Sequence, residues 1–242
     1  NYYDGIIFHR IIRDFMVPRK ETPEIKYLRQ KANLETFHQQ VENSKYIPLI
    51  KYIFLGFCVL MWLGGIILIN ANVINIADVS ISEGKLTVSG VILANFMHFY
   101  WLHILMNMTA MIFLLNRFFF ANYKILLVLI VLSAIGSSIL SIEMMPKDGV
   151  LIGSSGILYG VLTFYFLYLN DLRQCYVANE VNKKISKFLL IQTLICVIIN
   201  FMPMIGWYAH LGGAIMGFIL YFIVRKRLDF SAECLTLTYY KI

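Results

Sequence analysis

Charge is what this sequence has least of. Of its 242 residues only 14% are Asp, Glu, Lys or Arg, while 59% are hydrophobic; soluble domains hold about a quarter charged and half apolar residues. The length alone would allow one or two globular domains. The composition excludes disordered and collagen-like chains, because 36 aromatic residues and long aliphatic runs must be buried. Metal-type CxxC spacing is also missing: Cys58, Cys175, Cys196 and Cys234 stand apart, two in apolar runs and two in segments read below as cytoplasmic. Disulfides and thiolate clusters are therefore not expected. A secretory signal peptide is not evident, since the first apolar run follows some 48 polar and mixed residues.

What is present is a set of six apolar runs, at 49–69, 91–115, 124–142, 155–170, 187–203 and 207–224. Each approaches the roughly 17–25 residues that cross a hydrocarbon core of about 30 Å. None holds a carboxylate in its middle. The net charge of +7 would suit a nucleic-acid binder if it lay on one face of a soluble fold. Instead the basic residues cluster between runs. Nineteen fall in the N-terminal segment, alternate loops and C-terminal tail, against Lys85 and Lys147 in the other loops. That asymmetry predicts six spans with both termini cytoplasmic, and it argues against nucleic acid as a partner.

Polar side chains inside such runs carry the information about function. His98, His103 and Asn107 lie in the second run, Ser155 opens the fourth, and His210 stands near the start of the sixth. In the predicted topology all three runs begin on the outer side, so these groups share one depth. Gly153-Ser154-Ser155-Gly156 reads as a small-residue turn into a helix, where exposed N–H groups stabilise a developing oxyanion. By itself that string is equally a packing motif. Gly156-x3-Gly160 and Gly213-x3-Gly217 both permit close helix approach. If runs four and six pack through them, Ser155 and His210 come within hydrogen-bonding distance as a Ser–His dyad, no acidic residue being at that depth. His103 and Asn107, four apart, share a helix face and suit an oxyanion site. On a continuous helix His98 lies about 140° from His103. A zinc site would need three histidines from two helices and has poor support; neither a metal nor another cofactor is expected.

His98-x4-His103-x3-Asn107, Gly153-x-Ser155-Gly156 with Tyr159, and Ala209-His210-Leu211-Gly212-Gly213 resemble, in order and spacing, the signature of the rhomboid intramembrane serine proteases. The resemblance covers about residues 49–225. It implies an all-α, polytopic bundle of six transmembrane helices that cleaves transmembrane or membrane-proximal segments of other membrane proteins. By that likeness Ser155 is the nucleophile and His210 the general base. His103, Asn107 and the Ser155 N–H form the oxyanion hole, Tyr159 stacks near His210, and His98 supports the site, as do Gly153, Gly156, Gly213 and Gly217. One departure stands out: where the family commonly carries Trp-Arg in its first external loop, this chain has Ser89-Gly90. The loop 78–90 is therefore expected to fold or sit differently.

Residues 1–16, with His9 and Arg10, resemble the segment of cyclophilin prolyl isomerases that holds the catalytic arginine, here Arg10. The likeness ends at Val17-Pro18, so this stretch is expected to be a fragment and not a folded domain. Residues 17–48 read as a cytoplasmic linker with a short helix around Glu24–Gln40, whose basic residues could each gain about 1 kcal/mol at anionic lipid. Residues 49–225 are the membrane domain and 226–242 a cytoplasmic tail. The expected setting is a multi-pass protein of the plasma membrane, with the bilayer and membrane-protein substrates as its partners. Two other readings are a catalytically silent adaptor that binds client helices on the same fold, and a small-solute transporter. The intact Ser155 and His210 speak against the first. Against the second, no paired broken helices or intramembrane charges are seen.

Overall fold

The computed structural model of the chain describes residues 23–44, 46–76, 79–82, 88–117, 122–146, 149–172 and 206–232, with residues 186, 187, 190, 191, 194, 195 and 198 in helical conformation between the last two stretches. The cyclophilin-like residues 1–16, most of the fifth apolar run, and Cys175, Cys196 and Cys234 lie outside the described residues. In chain order the elements are α1 (Pro23–Lys31), α2 (Leu34–Ser44), α3 (Tyr46–Asn70), β1 (Ile81–Ser82), α4 (Val88–Ala94), α5 (Trp101–Arg117), α6 (Tyr123–Met144), β2 (Val150–Leu151), α7 (Ser155–Leu172) and α8 (Trp207–Val224), followed by a 3₁₀ turn at Arg225–Arg227.

Among the described residues, three helices, α3, α6 and α8 with its 3₁₀ extension, are long and apolar enough to cross a membrane. The distribution of side chains agrees. Leu60, Ile67 and Ile223 point outward, each about two-thirds exposed, while Ser133, Ser137, Ser138 and Ser141 of α6 are fully buried. A soluble helix would turn these faces the other way. With lipid as the outer solvent, apolar groups gain nothing by hiding, and small polar residues serve close helix contact.

α6, α7 and α8 pack against one another, and α8 makes the most extensive contact with the other two. The buried residues of α7 run from Gly156 to Leu172. On one side a Cβ at Gly156 or Gly160 would strike the side chains of Ser137 and Ser133 of α6. On the other, a Cβ at Gly213 or Gly217 of α8 would strike the carbonyls of Gly156 and Gly160. Gly212 in turn meets the Gly136 carbonyl of α6. Three helices thus meet at these glycines, α8 backbone to backbone with both α6 and α7 and α6 through its serines with α7, where the paired GxxxG patterns predicted contact between two. At the far ends of α7 and α8, Tyr221 donates to Asp171 Oδ2 and Arg225 Nε donates to the same oxygen at 2.5 Å.

Two expectations need correction. The second apolar run is not one helix: α4 stops at Ala94 and α5 begins at Trp101. Asn95 explains the break, because its Nδ2 takes the Val91 carbonyl at 2.7 Å and Ser138 Oγ at 3.0 Å, competing with the backbone ladder. The single helix expected near Glu24–Gln40 is likewise two, parted at Ala32–Asn33, where Asn33 Oδ1 accepts from the N–H groups of Glu35 and Thr36 and caps α2. These helices are also more than a tether. Leu28, Ala32 and Phe37 are buried in the same cluster as Tyr168 and Leu172 of α7 and Ala232. The Asn33 N–H, too, donates to Asp229 Oδ2 at 3.2 Å.

Between helices, β1 and β2 pair antiparallel, Ile81 with Leu151 and Ser82 with Val150. This ties part of the first loop to the segment that enters α7. Of the loop 78–90, residues 79–82 are anchored in this way; residues 83–87 and the side chain of Ser89 lie outside the described residues.

Candidate active site

Ser155 is the first residue of α7, and His210 lies one turn into α8. The glycine contacts between these helices bring the two side chains together although they are 55 residues apart: Ser155 Oγ is 2.9 Å from His210 Nε2. His210 is buried, and its imidazole lies flat on the Tyr159 ring, with centroids 4.1 Å apart and planes 6° from parallel. Tyr159 sits one turn beyond Ser155, so one helix supplies both the hydroxyl and the plate that orients its partner.

The segment before Ser155 is shaped by Gly153, whose φ of +132° is open to glycine but strained for other residues. Space makes the same demand, for a Cβ there would lie 2.6 Å from His103 Cε1. His103 therefore rests against the Gly153 backbone, and Asn107, one turn along α5, lies close behind it with Nδ2 3.8 Å from the same point. The Gly153 N–H donates to the Ala94 carbonyl at 2.7 Å, which pins this turn to the end of α4.

His98 occupies a different place from the one its sequence spacing suggested. It stands in the irregular link between α4 and α5, so the 140° offset on a continuous helix does not apply. From there its ring meets His103 edge-on at 4.9 Å and its Nε2 lies 3.0 Å from Asn107 Nδ2. Its Nδ1 is 3.1 Å from the Phe96 carbonyl. A carbonyl only accepts, so in the neutral ring Nδ1 carries the hydrogen and Nε2 must accept. That fixes the Asn107 amide with NH₂ toward His98, leaving its second N–H to point elsewhere.

All the site residues read from the sequence thus lie about one end of α7: Ser155, His210 and Tyr159 on one side, His103, Asn107 and His98 on the other, with Gly153, Gly156, Gly213 and Gly217 allowing the approach. Sequence reasoning missed Ser154, which is fully buried and 3.3 Å from His98 Nε2, and the serines of α6 that seat Gly156 and Gly160. The Ser133-x3-Ser137 spacing was a usable signal for the latter. Ser154 had none beyond lying in a small-residue string. Among the described residues no group of three or more His, Cys, Asp or Glu converges as a metal site would require.

Among known protein families, the rhomboid domain matches residues 85–227. No curated protein matches the chain. Because that match takes in more than half of the chain, including both helices that carry Ser155 and His210, this integral membrane protein belongs to the rhomboid family.

Proposed function

We propose that the chain is an intramembrane serine endopeptidase that cleaves transmembrane or membrane-proximal segments of other membrane proteins. Its family is one of intramembrane serine proteases, and the observation that carries the reading for this chain is the 2.9 Å contact between Ser155 Oγ and His210 Nε2. Ser155 attacks the scissile carbonyl carbon as its proton passes to His210 Nε2. The carbonyl oxygen becomes an oxyanion held by the Ser155 N–H at the start of α7, by His103 and by the second side-chain N–H of Asn107. His210 then gives the proton to the leaving amine, and the peptide C–N bond breaks. Water next attacks the acyl-enzyme, losing a proton to His210, which returns it to Ser155 Oγ as the acid product departs.

Stacking on Tyr159 supports this reading because it holds the imidazole plane beside the Ser155 hydroxyl. A serine-directed fluorophosphonate probe and a labelled transmembrane substrate, used on the purified chain in detergent, provide the test. Labelling and cleavage are expected in the wild type and absent in Ser155→Ala. Labelling that persists unchanged in Ser155→Ala would overturn the nucleophile, and cleavage abolished by a chelator would replace the dyad with a metal.

The same reading places six spans in the plasma membrane with both termini in the cytoplasm, supported by the 19-to-2 partition of basic residues. Reporters fused to each terminus should register only the cytoplasmic side. A terminus found outside would reverse the topology and put the dyad in the inner leaflet.

A further inference from the structure

Ser154 stands immediately before the proposed nucleophile, yet nothing so far gives it a task. Its carbonyl accepts from the Leu158 N–H at 3.1 Å, which makes it the N-cap of α7. A serine at that position ordinarily turns its hydroxyl back to accept from the second or third N–H of the helix. Here the hydroxyl turns the other way, to His98 Nε2 at 3.3 Å.

Donor and acceptor roles follow from one end of this chain of contacts. The Phe96 carbonyl makes His98 Nε2 an acceptor, so the Ser154 O–H donates to it beside Asn107 Nδ2.

We propose that Ser154 is a positioning residue for the oxyanion site: its hydroxyl shares His98 Nε2 with Asn107 and so holds the His98–Asn107 pair in register, and by turning away from α7 it leaves the N–H groups of the first turn free for the substrate carbonyl. This inference rests on the protease reading for its kinetic consequence, but the hydrogen bond itself can be read without turnover.

Two measurements decide it. In the first, Ser154→Ala is expected to lower kcat about 3–10-fold with KM within about twofold, the effect of one long hydrogen bond. Asn107→Ala alone should lower kcat by about 10²–10³, and adding Ser154→Ala to it should cost nothing more. An equal loss in both backgrounds, or no loss in the first, overturns the positioning role, since a mere packing defect would not depend on Asn107. In the second, ¹⁵N spectra of the imidazole-labelled protein, with five histidines to assign, should show the His98 Nε2 resonance moving downfield in Ser154→Ala. Ser154→Cys, whose thiol is a weaker donor, should move it the same way by less; this variant serves if Ser154→Ala does not fold. A His98 Nε2 resonance that stays in place overturns the proposal. If the wild type fails to cleave while the resonance moves as expected, the protease reading falls and the Ser154–His98 bond stands.

Discussion

At the scale of single residues, the site is built from short hydrogen bonds and ring contacts among side chains from distant parts of the chain. His210 has a hydroxyl at one nitrogen and an aromatic plate beneath it, and the plate is the part most open to test. Tyr159→Phe keeps the ring and should retain activity within about twofold. Tyr159→Ala removes a stack of the kind worth about 0.5–1.5 kcal/mol and should slow cleavage by about 2–12-fold with probe labelling slowed in parallel. Equal rates in the two variants would show that the ring does not orient His210. This contact was legible only through the rhomboid resemblance, since a tyrosine four residues after Ser155 reads by itself as a packing residue. The pairing of His98 with Asn107 was not legible. Spacing placed His98 on a continuous helix, whereas Asn95 unwinds the chain and turns His98 back over the face that Asn107 presents.

At the scale of elements, the dyad depends on how closely α7 and α8 approach, and glycine sets that distance on both helices. Gly213→Val would drive two methyl groups into the Gly156 carbonyl. Overpacking of this kind costs about 1–3 kcal/mol, and the strain falls on the residue next to Ser155. The expected result is a lower melting temperature in detergent together with a loss of cleavage larger than that in Gly64→Val, on α3, where a Cβ meets nothing within 4 Å. If the two variants behave alike, the approach of α7 and α8 is not what aligns the dyad. The order of the described apolar helices and the glycine seam could be read from the pattern of apolar and small residues. The role of α6 could not, because serine in a membrane helix marks close packing without naming the neighbour.

At the scale of the whole molecule, the site end of α7 and α8 is backed by a second polar tie at the other end, and the N-terminal helices dock beside it. Phe37 of α2 is buried at 2% exposure in the cluster that also contains Tyr168 and Leu172. Truncating a buried phenylalanine costs about 3–5 kcal/mol, enough to free a docked pair of helices. Phe37→Ala should therefore speed tryptic cleavage within residues 23–44 by about tenfold or more, while α3 to α8 stay resistant. Unchanged proteolysis would return this segment to the status of a simple linker. Composition gave no reason to expect docking here, since a few apolar residues among charged ones describe a tether and a packed amphipathic helix equally well.

By itself the sequence determined residence in a membrane, the order of the apolar runs, the asymmetry of basic residues and the small set of polar side chains worth watching. These are local properties: a charge in lipid is costly wherever the chain goes, so its absence is recorded residue by residue. The tertiary structure alone decided that the second run breaks at Asn95, that α6 completes the seam behind α7, and that Ser154 faces His98 instead of capping its own helix. Each of these turns on which group arrives from a distant segment to satisfy a buried donor or acceptor. That choice is made by the approach of backbones, and no spacing along one helix records it.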